Sequence, residues 1–341
     1  MKSPSPPAVT PSASGLAAGP RRSASGPQLA ARVALVLVWS SGFVSGKLGL
    51  RHAAPYTFAA LRFTVAGLVL LALAGLRRER LPRGRQLGHL AVAGVLMQAV
   101  QFSSIYAGMD RGVPSGLAAL IIALYPLTAS LLSVPLLHER VSAGQYLGLV
   151  LGLGGVALAV AEGIQVSGGY VLGLGFVVLG LLGISVGTVY QKRFCGPMEP
   201  VSGNAVQLLA AALAVLPPAL LVEGWDVEFT AGYGPVLLWS ALVNSIVGVG
   251  LLYHLLQRQG TSQVSSLFYL VPMSTAGLGA LLLGQHIGPL TLAGLALATG
   301  GTLLAHRVGA PTPSSASATV TASTSSTPST TSANDHHRRT T

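Results

Sequence analysis

Long apolar stretches alternate along the chain with short polar ones, and ten of the apolar runs are long enough to cross a bilayer. A spanning helix needs about 20 consecutive, mostly apolar residues. Only two of the runs carry a charge in their interior, Lys47 in the first and Arg62 in the second. The pattern predicts an all-α integral membrane protein with ten transmembrane helices, at residues 31–50, 57–76, 88–108, 114–136, 143–161, 171–190, 202–222, 235–256, 264–284 and 287–306.

Composition supports a membrane protein and argues against other classes. The chain is 51% hydrophobic and 9% charged, whereas soluble domains carry about 25% charged residues. The net charge of +11 does not indicate nucleic-acid binding, because the basic residues lie in short clusters between apolar runs. Glycine runs such as GLVLGLGGVALA lack the strand and the acidic ribose ligand of a dinucleotide-binding loop. We expect no nucleic-acid partner, no cofactor and no metal.

The basic residues also predict the orientation in the membrane. If both termini are cytoplasmic, sixteen of the twenty basic residues face the cytoplasm and only Arg51 and Arg111 face outside. Such a bias is the positive-inside rule. Residues 1–30 are rich in Pro, Ser and Ala, and residues 310–341 in Ser and Thr, so we expect both to be disordered cytoplasmic tails.

The two halves of the chain repeat one another. The segment around Pro126 realigns without a gap on the segment around Pro272 at an offset of 146, and the beginnings of the halves realign at an offset of 145. The repeats of five helices each span residues 31–161 and 170–306. Because five is odd, the second repeat must enter the membrane inverted. Inverted repeats are the architecture of many secondary transporters.

The matching prolines predict matching interruptions. A proline inside a helix removes a backbone hydrogen bond and kinks the helix. Lipid offers no partner for the freed carbonyl, so such a kink needs a protein group or a water-filled cavity beside it. Pro126 and Pro272 therefore mark either a central cavity between the repeats or simple packing kinks.

Three stretches of the first repeat carry a resemblance to a known family. They are WSSGFVSGKLGL, PYTFAALRFTVAGLVLL and LYPLTASLLSVPLLHERVSAGQYLGLVLGLGGV. Because these stretches follow one another in this order within a ten-helix double repeat, the chain resembles the EamA family of the drug/metabolite transporter superfamily over residues 31–306. The resemblance implies a transporter that moves small metabolites, often by export. The second repeat departs from it where Gln285 stands at the position of Glu139.

Two charges inside predicted helices are candidates for the substrate pathway. Charges at membrane depth are costly and usually face a cavity or a partner, although long side chains near helix ends can reach the interface. Lys47 is open to both interpretations, and for Arg62 we favour a cavity-facing role. Facing a cavity, these cations would attract an anionic group on the substrate.

Polar and aromatic residues within the spans complete the candidate set. The amides are either interhelical hydrogen-bond partners or substrate ligands, and the aromatic rings could form pocket walls. Tyr106 and Tyr253 are better explained as interfacial anchors, and Glu139–Arg140 as a loop ion pair. The remaining candidates for the substrate pathway, besides the two prolines, are Trp39, Gln98, Gln101, Tyr125, Asn244 and Tyr269.

The sequence thus favours a secondary transporter, most simply an exporter, in the cell membrane. Its substrate would be a small molecule, anionic or amino-acid-like, and its second partner the lipid bilayer; a homodimer is left open. A flippase for a lipid-linked carrier on the same scaffold is an alternative. An intramembrane transferase is disfavoured, because catalysis would need carboxylates or a nucleophile with a base, and the acidic residues lie in loops, tails or helix ends.

Overall fold

Helices make up almost all of the structure, a computed structural model that describes residues 26–137, 142–163, 168–259, 264 and 267–308. Within these ranges there is no β-strand, only an isolated antiparallel bridge between Ala53 and Val227. We number the helices α1 (Gly26–Gly49), α2 (Pro55–Leu76), α3 (Arg85–Asp110), α4 (Ser115–Ile122), α5 (Tyr125–Leu137), α6 (Ala143–Gly163), α7 (Gly168–Phe194), α8 (Pro200–Leu221), α9 (Tyr233–Arg258), α10 (Val271–Leu283) and α11 (Pro289–Val308).

Within the described ranges, eight helical segments are long and apolar enough to cross a membrane. Seven of them are single helices, and the eighth, Ser115–Leu136, combines α4 and α5. Two shorter apolar helices, Phe268–Leu283 and Pro289–Gly301, lie at the last two predicted spans. The described chain is therefore an all-helical, multi-pass membrane protein.

The helix ends differ from the predicted ones in small ways. Helix α1 begins at Gly26, so the last residues of the stretch that we expected to be a disordered tail are helical. The rest of that tail, the C-terminal tail and the Glu139–Arg140 pair lie outside the described residues. The fourth predicted span is broken between Ile122 and Tyr125, because Pro126 has no N–H for the Ile122 carbonyl and its ring would clash with that carbonyl.

Each half of the chain packs mainly on the other half. Helix α6 lies against α11, α2 against α8, α3 against α7, and α1 against α9 and α10. Gly155 and Gly294 meet where α6 crosses α11, and a methyl group on either would overlap the other's carbonyl oxygen. Small residues that let backbones approach are the usual basis of helix packing in membranes.

Carboxylate side chains next to a helix of one half cap the N-terminus of a helix of the other half. Glu223, after α8, accepts hydrogen bonds from the backbone N–H groups of Tyr56 (2.9 Å) and Thr57 (2.7 Å) at the start of α2. In return Glu79, after α2, accepts one from the Ser202 N–H (2.8 Å) at the start of α8. The first N–H groups of a helix lack intrahelical partners and attract negative charge. The pairs therefore fix α2 and α8 as antiparallel neighbours.

The loops gather at two faces of the bundle. The face that we call the Ala53 face contains the Ala53–Val227 bridge and a cavity shared by the ends of α1, α3 and α10. At the opposite face, here the Arg80 face, the start of α3 meets the loop after α7, and the Gln86 side-chain amide donates to the Pro197 carbonyl (3.0 Å).

Candidate functional site

Both repeats contain a helix break just before the matching proline. In the first repeat α4 ends at Ile122 and α5 begins at Tyr125. In the second, the 3-10 turn Phe268–Leu270 leads into α10, which begins at Val271. Pro126 and Pro272 are thus the second residues of their helices. Position N2 suits proline because its missing N–H would be unpaired there.

Equivalent serines reach across the repeat interface to these breaks. Ser40 in α1 donates to the carbonyl of Val271, the residue before Pro272 (3.3 Å). Ser185 in α7, its repeat partner, lies 2.5 Å from the hydroxyl oxygen of Thr128, just after Pro126. Both serines are fully buried. Each half therefore supplies a hydroxyl to the interrupted helix of the other half.

Gln98 and Asn244 lie in matching segments of π-helix. These segments are Val95–Val100 in α3 and Trp239–Gly248 in α9, and π-turns inside α-helices are rare and often mark functional sites. Asn244 packs on Gly42 of α1, where an added Cβ would lie 3.0 Å from its Oδ1. Among the described residues, its buried Nδ2 has no hydrogen-bond partner.

Two tyrosines come together at the breaks. Tyr125, at the start of α5, and Tyr269, in the 3-10 turn before α10, are close enough to interact electrostatically. Trp39 makes an edge-to-face contact with Phe268 of the same turn, with ring centroids 5.0 Å apart. Aromatic side chains therefore surround the second break, as a pocket wall would require. Gln101 is also buried, and its backbone carbonyl oxygen faces Gly180 on α7.

Arg62 is held inside the protein by aromatic groups. It is 3% exposed, its Nη1 donates to the Tyr106 hydroxyl, and its guanidinium carbon lies 4.3 Å from the ring centroid of Phe102. Its Nε is buried and has no hydrogen-bond partner in the part of the chain that the structure describes. Stacking on a ring face suits the planar guanidinium. Tyr106 is 1% exposed, so the interfacial anchoring that we expected for it is wrong.

Lys47 lies at the Ala53 face and lines a cavity of about 230 Å³. Its Nζ donates to the carbonyl of Met109 at the end of α3. The other lining residues are Leu50, Arg51, Asp110, Leu283 and Gln285. Gln285 is tied to the start of α4, because its Oε1 accepts from the Ser115 hydroxyl (2.8 Å) and N–H (3.3 Å).

The structure groups the sequence candidates into two places. Trp39, Gln98, Tyr125, Pro126, Asn244, Tyr269 and Pro272 belong to the breaks and π segments near the repeat interface, while Lys47 belongs to the cavity at the Ala53 face. Arg62 does not line that cavity. Their part in substrate transport stays a prediction. The Tyr253 side chain lies outside the described residues.

Sequence reasoning missed several residues of these sites. Asp110 and Gln285 were not selected, and only their position next to a span end could have suggested a shared face. The π segments carry no distinct sequence signal. The spacing of Phe102 and Tyr106, one helical turn apart, could have indicated the aromatic face that meets Arg62.

Comparison with known proteins agrees with the double repeat. The EamA-like transporter family model matches residues 28–161 and again residues 171–307. An uncharacterized inner membrane transporter, YedA, of Escherichia coli (strain K12) is 29% identical over 268 residues, which cover 78% of this chain and 84% of that protein. A "Probable amino-acid metabolite efflux pump" of Salmonella typhimurium is 27% identical, over 78% of this chain and 90% of that protein.

The fold has a counterpart among solved structures. A crystal structure covers 83% of this chain and 98% of its own, with a TM-score of 0.57 and 22% identity, which concerns the fold alone. The family match extends over both halves, and the relatives are membrane transporters and efflux pumps. The chain therefore belongs to the EamA-like transporter family and is a multi-pass membrane transport protein.

Proposed function

We propose that the protein is a secondary transporter that exports a small metabolite across the cytoplasmic membrane by alternating access between two inverted repeats. The observation that carries this proposal is the crossed pair of contacts at the helix breaks. Ser40 of the first repeat bonds beside Pro272, and Ser185 of the second bonds beside Pro126. Secondary transporters place their substrate sites at such interrupted helices between repeats.

Ten crossings and an inverted second repeat are part of the proposal. Eight long apolar segments and two shorter ones supply ten candidate crossings. The antiparallel pairing of α2 with α8, the second helices of their repeats, is the relation that inversion requires. The crossed serine contacts support the same symmetry.

We propose that the Ala53 face is outside and that both termini are cytoplasmic. The exposed arginines after α2 support this, since they lie on the Arg80 face. Single cysteines at positions 80 and 226, in a Cys195→Ser background, test it with an impermeant thiol reagent on intact cells. We expect labelling at 226 only. Labelling at 80 alone would reverse the orientation.

The substrate that we propose is an anionic or amino-acid-like metabolite. The cations near the Ala53 face and the relative named as an amino-acid metabolite efflux pump support this class. The test is counterflow in proteoliposomes that are loaded with candidate metabolites and offered the same labelled compound. A flippase would instead move a lipid-linked substrate between leaflets and leave soluble metabolites where they are.

Closure of the Ala53 face tests alternating access directly. Ser115 and Gln285 join α4 to the loop after α10. In a Ser115→Cys/Gln285→Cys double variant, a short bifunctional thiol reagent should hold this face shut and stop counterflow. Each single variant, treated with the same reagent, is the matched control. Unchanged counterflow in the cross-linked double variant would contradict the mechanism.

A further inference from the structure

The cavity at the Ala53 face has an unusual mixture of charges. Lys47 and Arg51 at the end of α1 supply two cations, and Asp110 at the end of α3 supplies a carboxylate. Leu50 and Leu283 contribute apolar wall. The cavity is thus built by helix ends from both repeats at one mouth of the bundle.

The charged groups in the cavity are not paired with each other. Within the described ranges Asp110 forms no salt bridge, although it acts electrostatically on Lys47. Lys47 uses one of its three N–H groups on the Met109 carbonyl. Gln285 uses its oxygen on Ser115, which leaves its amide NH₂ for another acceptor. The cavity therefore offers donors from three side chains and a carboxylate acceptor from one.

The volume limits what can bind. A cavity of about 230 Å³ is smaller than the roughly 300–1,000 Å³ of drug-sized sites. It corresponds to about seven or eight water molecules at ~30 Å³ each. This volume holds a small amino acid such as alanine together with some water, whereas a nucleotide is too large.

We propose that this cavity is an outer binding site for a small zwitterionic amino acid, with its carboxylate at Lys47 and Arg51 and its ammonium group at Asp110. A simple carboxylate would satisfy the cations but place a negative charge beside Asp110. A simple amine would meet two cations. Only a zwitterion matches both signs. The inference rests on the proposed function and deepens it, because the site lies where an exported substrate would leave.

A series of three ligands tests the assignment. Binding of alanine, propionate and ethylamine to the purified full-length protein is measured by thermal stabilisation, which reports ligand affinity without transport. Wild type should bind alanine most tightly. The contacts are partly solvent-exposed, so binding should be weak and should weaken further with salt, since screening lengths fall from about 30 Å at 0.01 M to about 10 Å at 0.1 M.

Substitutions separate the two charged ends of the ligand. Asp110→Asn should weaken alanine binding by roughly 1.4- to 5-fold, the range of measured exposed ion pairs, and leave propionate binding unchanged or tighter. Arg51→Gln should weaken both. The matched control is Arg111→Gln, since Arg111 neighbours Asp110 but lies 4.6 Å from the Phe176 ring and does not line the cavity.

A labelling experiment tests the same site in case the charge substitutions prevent folding. With Leu283→Cys, on the apolar wall of the cavity, in a Cys195→Ser background, alanine should slow reaction with an impermeant maleimide, and ethylamine should not. Equal effects of Asp110→Asn on alanine and propionate, or no protection by alanine, would overturn the site. Counterflow separates this result from the proposed function: wild type that exchanges metabolites but shows no charge-specific binding refutes only the outer site. Wild type that binds alanine but exchanges no metabolite refutes only transport.

Discussion

Removing the Glu223 carboxylate should measurably destabilise the protein. Its two oxygens accept three hydrogen bonds, from the N–H groups of Tyr56 and Thr57 and from the Thr57 hydroxyl (2.9 Å). Hydrogen bonds to charged groups contribute about 1.5–3 kcal/mol each, and loss of a helix cap costs about 0.5–2 kcal/mol. Because Glu223 is half-exposed, solvent screening lowers the contribution of each of these hydrogen bonds. We expect Glu223→Ala to cost about 2 kcal/mol.

The assay is the thermal midpoint of the purified protein in one detergent. About 2 kcal/mol corresponds to roughly 4–8 °C, at the ~2–4 °C per kcal/mol of medium-sized domains. Glu223→Gln keeps an acceptor but loses the charge and should fall between wild type and alanine. Glu228→Ala is the matched control, since Glu228 lies in the same loop and is exposed. If Glu223→Ala shifts the midpoint no more than Glu228→Ala, the capping argument is wrong.

Four further outcomes can be measured. Arg62→Gln should lower transport with near-normal expression, and Arg62→Lys should rescue it only partly, because lysine lacks the planar fork; normal transport in Arg62→Gln would contradict this. Gly42→Ala should slow transport severalfold by displacing the Asn244 amide, whereas Gly75→Ala, with no neighbour within 4 Å, should not. An imposed pH gradient alone should drive no accumulation in proteoliposomes, since proton carriers use carboxylates or histidines within the spans; accumulation would refute this expectation. Burial raises the pKa of the Cys195 thiol, so at pH 7 it should react with maleimide more slowly than an exposed cysteine at position 80, and faster as the pH rises.

Local sequence predicted most of the helices but not the side-chain contacts between them. Apolar length located the spans, and Pro126 and Pro272 predicted the breaks, because the missing N–H of a proline is a local property. Arg62 shows the limit. Helix α2 is apolar on all sides, so nothing in its own sequence tells which face meets Phe102 and Tyr106 on another helix.

The π segments and the capping carboxylates depend on residues far away in sequence. Asn244 is placed by Gly42, about two hundred positions earlier. Glu223 looked like an ordinary loop acid, and its role appears only when α8 lies beside α2. The cavity at the Ala53 face likewise needs three helix ends at once. Neither the periodicity nor the composition of the sequence predicts contacts between residues so far apart in the chain.

The exchange of caps between α2 and α8 bears on how the chain matures in the membrane. When the ribosome has made only the first half, the start of α2 still lacks the Glu223 acceptor that lies more than 160 positions ahead. Backbone N–H groups without a partner are costly near hydrocarbon. The nascent first half therefore lacks this cap until α8 and the loop after it have been made. The second half supplies the missing acceptor and receives the Glu79 carboxylate in return, so this part of the stability belongs to the two halves together and to neither half alone.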